Sequence, residues 1–160
     1  MSDYYPGEIH IGGPVPKTAI KELIEQIVAT GASLDGYCGD IVTEETALKA
    51  ILENKTIDLY ADKARYGRFE ELEDFLVRHG IHFTLHCEAY CEYEAEKVFY
   101  RGGKRVLSLP SDQSGNLLVC FDDVIAILDN EKLDDHGKLE ALRKLIIPPE
   151  TKPLEPIRFV

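Results

Sequence analysis

Between residues 56 and 109 the apolar residues change their spacing, and that change limits the possible folds more than any other feature of the chain. From Thr56 the period is two: Ile57, Leu59 and Ala61 fall on one side, and Thr56, Asp58 and Tyr60 on the other, as in a strand with one covered face. Near Gly67 to His79 the spacing lengthens to that of a helix. Phe69, Leu72, Phe75 and Leu76 form the buried stripe, acids come early, Arg78 and His79 come late, and Gly80 is the stop. Ile81 to Glu88 returns to period two, with Ile81, Phe83, Leu85 and Cys87 inward and His82, Thr84, His86 and Glu88 opposite. A long strand is then expected from Tyr90 to Arg101, a tight turn through Gly102-Gly103, and a return from Lys104 to Leu109.

Strand, helix and paired strands in this order predict an α+β domain. Its sheet should be mixed or largely antiparallel around a central β-α-β-β unit of ferredoxin-like flavour, with helices mainly on one face. Upstream, Glu8 to Gly12 alternates as a short strand. Pro16 stands where a first helical residue is favoured, and Ile20, Leu23, Ile24, Ile27 and Val28 keep helical spacing up to Gly31. After a loop from Ala32 to Val42, Thr43 caps a second helix that ends near Asn54. Downstream, the pattern predicts a loop from Pro110 to Gly115, a strand from Asn116 to Phe121, a short helix from the cap Asp122 to Leu128, and another from Asp135 to Ile146. Residues 1–147 read as one domain. Residues 148–160, with Pro148, Pro149, Pro153 and Pro156, read as an extended C-terminal tail.

A chain of 160 residues can bury most of its apolar surface without disulfides or a structural metal. No apolar run approaches the roughly 20 residues of a spanning helix, and the N-terminus lacks the basic and apolar parts of a signal peptide. Cys38, Cys87, Cys91 and Cys120 are read as reduced thiols, and the expected location is the cytoplasm. The formal charge of −11, from 29 acidic and 18 basic side chains, disfavours direct nucleic-acid binding, which depends on Lys and Arg. The same excess suits a basic protein partner or imitation of nucleic-acid charge.

Gly12-Gly13 followed by Lys17-Thr18 and a helix has the outline of a phosphate-binding loop. The second glycine before the lysine is missing, however, and Pro14 and Pro16 each remove an amide donor. His82, His86, Cys87 and Cys91 form the one compact set of zinc-type ligands, although on a strand His82 and His86 point away from Cys87. His82-Phe83-Thr84-Leu85 resembles the histidine, any residue, threonine, apolar signature of two-histidine phosphoesterases. The resemblance implies an acid–base role for His82, phosphate binding by Thr84 and an opposing histidine, for which His10 in His10-Ile11-Gly12 is the nearest candidate. His86 completes the candidate catalytic set, as a phosphoesterase or metal-dependent hydrolase.

Glu88, Glu92, Glu94 and Glu96 share parity, so an unbroken strand would line them up as an acidic row. Further acids cluster at Glu70, Glu71, Glu73 and Asp74, which read as a helical surface, and from Asp122 to Asp135. No nucleophilic serine elbow, dinucleotide fingerprint, kinase signature or calcium loop is present. The expectation is therefore a small acidic binding module, an inhibitor or accessory factor. Its interaction surface would comprise Asp58, Tyr60, Glu88, Glu92, Glu94 and Glu96, and its target would be a basic or nucleic-acid-binding protein.

Overall fold

In the computed structural model, which describes residues 3–53, 55–89 and 94–160, five strands form one antiparallel sheet. They are β1 (Tyr4–Gly12), β3 (Ile57–Arg65), β4 (His82–Cys87), β5 (Glu96–Tyr100) and β6 (Leu107–Pro110), in the order β3-β1-β4-β5-β6. A second, two-stranded sheet pairs β2 (Pro14–Val15) with β7 (Arg158–Phe159) in parallel. The helices are α1 (Ile20–Ala29), α2 (Glu44–Leu52), α3 (Glu70–Arg78), α4 (Phe121–Leu128) and α5 (Asp135–Ile146). The chain is an α+β fold.

One face of the large sheet makes the core. Ile9, Ile11, Ile57, Leu59, Phe83, Leu85 and Val98 project from the strands onto Leu23 and Ile27 of α1, Ala47 and Ile51 of α2, and Leu72, Phe75 and Leu76 of α3. These are the residues whose spacing alternated or recurred helically in the sequence, because burial on one face produces the pattern. The helix after Pro16 begins later than its pattern implies. Pro14 and Val15 are still extended, paired with β7, and Lys17 N–H donates to the Val160 carbonyl, so a 3-10 turn at Lys17–Ala19 intervenes before Ile20.

Helix α3 likewise starts at Glu70, because Tyr66 and Gly67 both take positive φ and turn the chain first. Arg68 then reaches back to Glu73 as a bidentate pair, and Glu73 Oε1 accepts from Phe69 N–H at 2.8 Å, satisfying an amide at the helix start. Glu73 is therefore not part of a solvated acidic face; only 6% of it is exposed.

The expected Gly102-Gly103 hairpin is longer than a tight turn, with Arg101 to Val106 joining β5 to β6. No strand forms at 116–121. Ser111 and Leu117 make a single bridge, and the chain enters α4 at Phe121. Helices α4 and α5 pack on each other, and neither has a buried residue among those described. The C-terminal segment lies against the domain: Ile157 is 3% exposed and Arg101 donates twice to the Lys152 carbonyl. Gly13 N–H bonds the Glu155 carbonyl at 2.8 Å. A Cβ at Gly12 would lie 2.2 Å from that same oxygen, so the Gly12-Gly13 pair makes room for the returning chain rather than for a phosphate.

Candidate functional site

The second face of the large sheet carries the polar residues, and strand register places them in rows. Tyr60 of β3 lies beside Glu8 of β1, Glu8 beside His86 of β4, and His86 beside Lys97 of β5. One step along, the row runs Asp58, His10, Thr84 and Phe99; beyond it, His82 lies beside Gly12. Six residues singled out from the sequence, His10, Asp58, Tyr60, His82, Thr84 and His86, thus share one face.

The β3–β1 half of this face is acidic and aromatic. His10 Nδ1 is 2.7 Å from Asp58 Oδ1, and its Nε2 is 3.6 Å from Glu8 Oε1. The contact with Glu8 raises the His10 pKa, burial opposes this, and Asp58 raises it again. Glu8 is correspondingly held below the usual carboxylate value, first by His10 and against its own desolvation.

Ser33 fastens the loop between α1 and α2 to this edge by exchanging two 2.9 Å backbone bonds with Tyr60. The loop delivers Tyr37 onto the face, its ring centroid 5.5 Å from that of Tyr60 at 75° and its hydroxyl donating to Glu88 Oε1 at 3.2 Å. Burial, then the charges of Glu8 and Glu88, raise the Tyr37 pKa; burial, then Asp58 and Glu8, raise that of Tyr60, so both phenols stay neutral. Three carboxylates, from Glu8, Asp58 and Glu88, therefore surround an edge-to-face tyrosine pair. With side-chain exposures of 25% for Glu8 and 41% for Asp58, the patch is reachable from solvent.

The middle of the face is covered. His86 is 5% exposed, with Nδ1 3.5 Å from Glu8 Oε1 and Nε2 buried without a hydrogen-bond partner among the described residues. Above it passes the loop from Ser111 to Leu117. A Cβ on Gly115 would stand 2.9 Å from Lys97 Cε and 3.5 Å from His86 Cε1. Parity placed His86 on the polar face correctly, but the residue is not on an open surface.

The β5 end of the face is basic. Arg101 donates to Thr84 Oγ1 at 2.7 Å and to the Lys152 carbonyl, and beside it His82 lines a groove of about 420 Å³ with Lys104, Arg105 and Lys152. Burial, then the Arg101 charge, hold His82 below the usual histidine value. His10 does not line this groove and faces carboxylates instead, so the two histidines do not address one phosphate from opposite sides.

The described members of the zinc set, His82, His86 and Cys87, do not share one side of the sheet. Cys87 projects to the core face, away from His82 and His86, and its thiol donates to the Gly67 carbonyl. Burial and then Glu96 push its pKa up to about 12. Cys91 lies outside the described residues. Among the described residues no group of three His, Cys, Asp or Glu side chains is placed to hold a metal ion.

The glutamate row does not form either. Glu92 lies outside the described residues, Glu88 and Glu94 are outside strands, and only Glu96 begins β5. Glu96 pairs in register with Cys87, which puts it on the core side of the sheet, where it meets Arg68 at 3.1 Å and Ser108.

Sequence reasoning missed Glu8, Tyr37 and Arg101. Glu8 was legible, since it alternates with Ile9 and Ile11 as His10 does, whereas nothing in the loop around Tyr37 marks where that ring will dock. No family model matches the sequence, and comparison with curated proteins and with solved structures gives no match. No helix among the described residues is long and apolar enough to cross a membrane.

Proposed function

We propose that the protein is a binding module that receives a cationic side chain of a basic partner protein on the acidic half of its open sheet face. One observation carries the reading: Glu8, Asp58 and Glu88 gather around the neighbouring rings of Tyr37 and Tyr60 on a half-exposed surface. A lysine or arginine placed against these rings would gain cation–π attraction and carboxylate partners together. Edge strand β3 and a loop anchored at Ser33 support the patch from below, so little ordering is needed on binding. The net charge of −11 would speed encounter with such a partner, and a nucleic-acid-binding protein, with its Lys- and Arg-rich surface, is the class that fits. Occupying that surface would make the module an inhibitor or accessory factor. The free thiols of Cys38, Cys87 and Cys120 support a reducing compartment such as the cytoplasm.

Titration with an Arg- and Lys-containing peptide at low salt, followed by amide chemical shifts, tests the reading. Saturable shifts should centre on Glu8, Tyr37, Asp58 and Tyr60 and weaken as salt is added. Tyr60→Ala should weaken binding by about 2- to 30-fold, the range a cation–π contact contributes. Absence of saturable binding at low salt, or shifts scattered evenly over all acidic residues, would sink the proposal.

A further inference from the structure

The groove beside His82 has a character opposite to that of the chain as a whole. It is lined by four cations, Arg101, Lys104, Arg105 and Lys152, against two carboxylates, Glu150 and Glu155, in a protein with 29 acids and 18 bases. Arg101 is committed to the fold: its guanidinium holds Thr84 and the carbonyls of Phe83, Tyr100 and Lys152. Lys104, Arg105 and Lys152 make no ion pair among the described residues. The carboxylate of Glu155 lies 4.0 Å from Arg158 instead. With four cations against two carboxylates the lining carries a surplus of positive charge and focuses positive potential there, while carboxylates dominate elsewhere.

The walls are built. On one side runs the Arg101 to Val106 connection; on the other runs the 149–155 segment, held by Arg101 at Lys152 and by Gly13 at Glu155. The imidazole of His82 is wedged between Gly13 and Gly102, where a Cβ would come within 2.6 Å and 2.7 Å of its two nitrogens. Both glycines have positive φ, so two turns from distant parts of the chain admit one ring at the groove wall. His82 makes no hydrogen bond of its own among the described residues. The volume of about 420 Å³ is that of a small-molecule site and too small for a folded partner.

We infer that this groove binds a small soluble phosphate-bearing anion, with Lys104, Arg105 and Lys152 meeting the phosphate oxygens and His82 contributing a ring nitrogen as a hydrogen-bond partner. The site is separate from the acidic patch and does not depend on it. Lys and Arg suit phosphate through charge-assisted bonds, and the volume of about 420 Å³ suits a compact anion.

The test is a calorimetric and amide-shift titration of the full chain with inorganic pyrophosphate. Saturable binding with shifts at His82, Gly103 and Lys152 is expected, and the double variant Lys104→Ala/Arg105→Ala should raise the Kd at least tenfold. Both side chains are exposed, so the variant should fold normally, which an unchanged circular dichroism melt checks. Lys21→Ala, a basic surface position on α1, should bind as the parent does. No saturable binding at millimolar pyrophosphate overturns the inference. So does an equal loss in Lys21→Ala, which would mean unspecific charge attraction. Binding to vesicles bearing phosphorylated lipid headgroups without binding to pyrophosphate or glycerol phosphate would also overturn it.

Discussion

His10 has a carboxylate at each ring nitrogen, and this ties the stability of the protein to pH. Its pKa is raised in the fold, so its contribution is complete below the ordinary value of 6.5 and is lost as the pH climbs through the higher folded value. Glu8, whose pKa is lowered, contributes above its ordinary 4.5 and loses that contribution as the pH falls. Denaturant unfolding should therefore show stability falling as the pH rises above 6.5 in the parent, and a flatter profile in His10→Gln. A second residue-scale prediction concerns Glu73. Removing Glu73 leaves Arg68 with Glu96 alone and strips the Phe69 amide of its acceptor, so Glu73→Ala should cost about 1–3 kcal/mol in urea unfolding, whereas the same change at exposed Glu71 should be nearly silent. In the sequence these two glutamates look alike, both in an acidic run at a helix start. What separates them is the turn at Tyr66 and Gly67, which aims Arg68 at one and not the other; a periodicity argument has no access to that turn.

The elements that could be read from spacing alone are those with one covered face. Strand β4 and helices α1 and α3 write their burial into the order of their residues, and the polar set of β4 was legible for the same reason. Elements held by backbone pairing leave no such trace. Neither Pro14–Val15 nor Arg158–Phe159 alternates over enough residues to register, yet their parallel pairing closes the domain, and the acidic patch depends on a similar backbone exchange at Ser33. The prolines of the C-terminal segment suggested an extended tail; Ile157 in the core gives that segment a packing role. Truncating Ile157 to Ala should cost about 2–5 kcal/mol in a thermal or urea melt, as for an interior side chain. A loss below 0.5 kcal/mol, the surface range, would show that the segment is only loosely applied. The α4–α5 hairpin is the converse case: it has helical patterning, yet Phe121 is 74% exposed and Ile147 67%.

At the scale of the molecule, the open sheet face is divided by charge. Carboxylates hold its β3–β1 side, cations hold its β5 side, and the 111–117 loop covers the ground between. Net charge read from the sequence carries the sign of the average and hides this division, because the cations are drawn from two separate stretches of chain. The surplus of negative charge elsewhere repels itself, so raising NaCl from about 0.02 to about 0.2 M should raise the melting temperature through screening. A fall would mean that the paired clusters around His10 and Arg68 outweigh that repulsion. The position of β1 has a kinetic consequence as well. It lies inside the sheet between β3 and β4, and both neighbours are encoded far downstream, from Ile57 and from His82. On the ribosome, Ile9 and Ile11 must wait unpaired while that intervening chain is made. A nascent chain halted short of Cys87 would present a bare apolar strand edge, the kind of surface that chaperones hold and aggregates recruit.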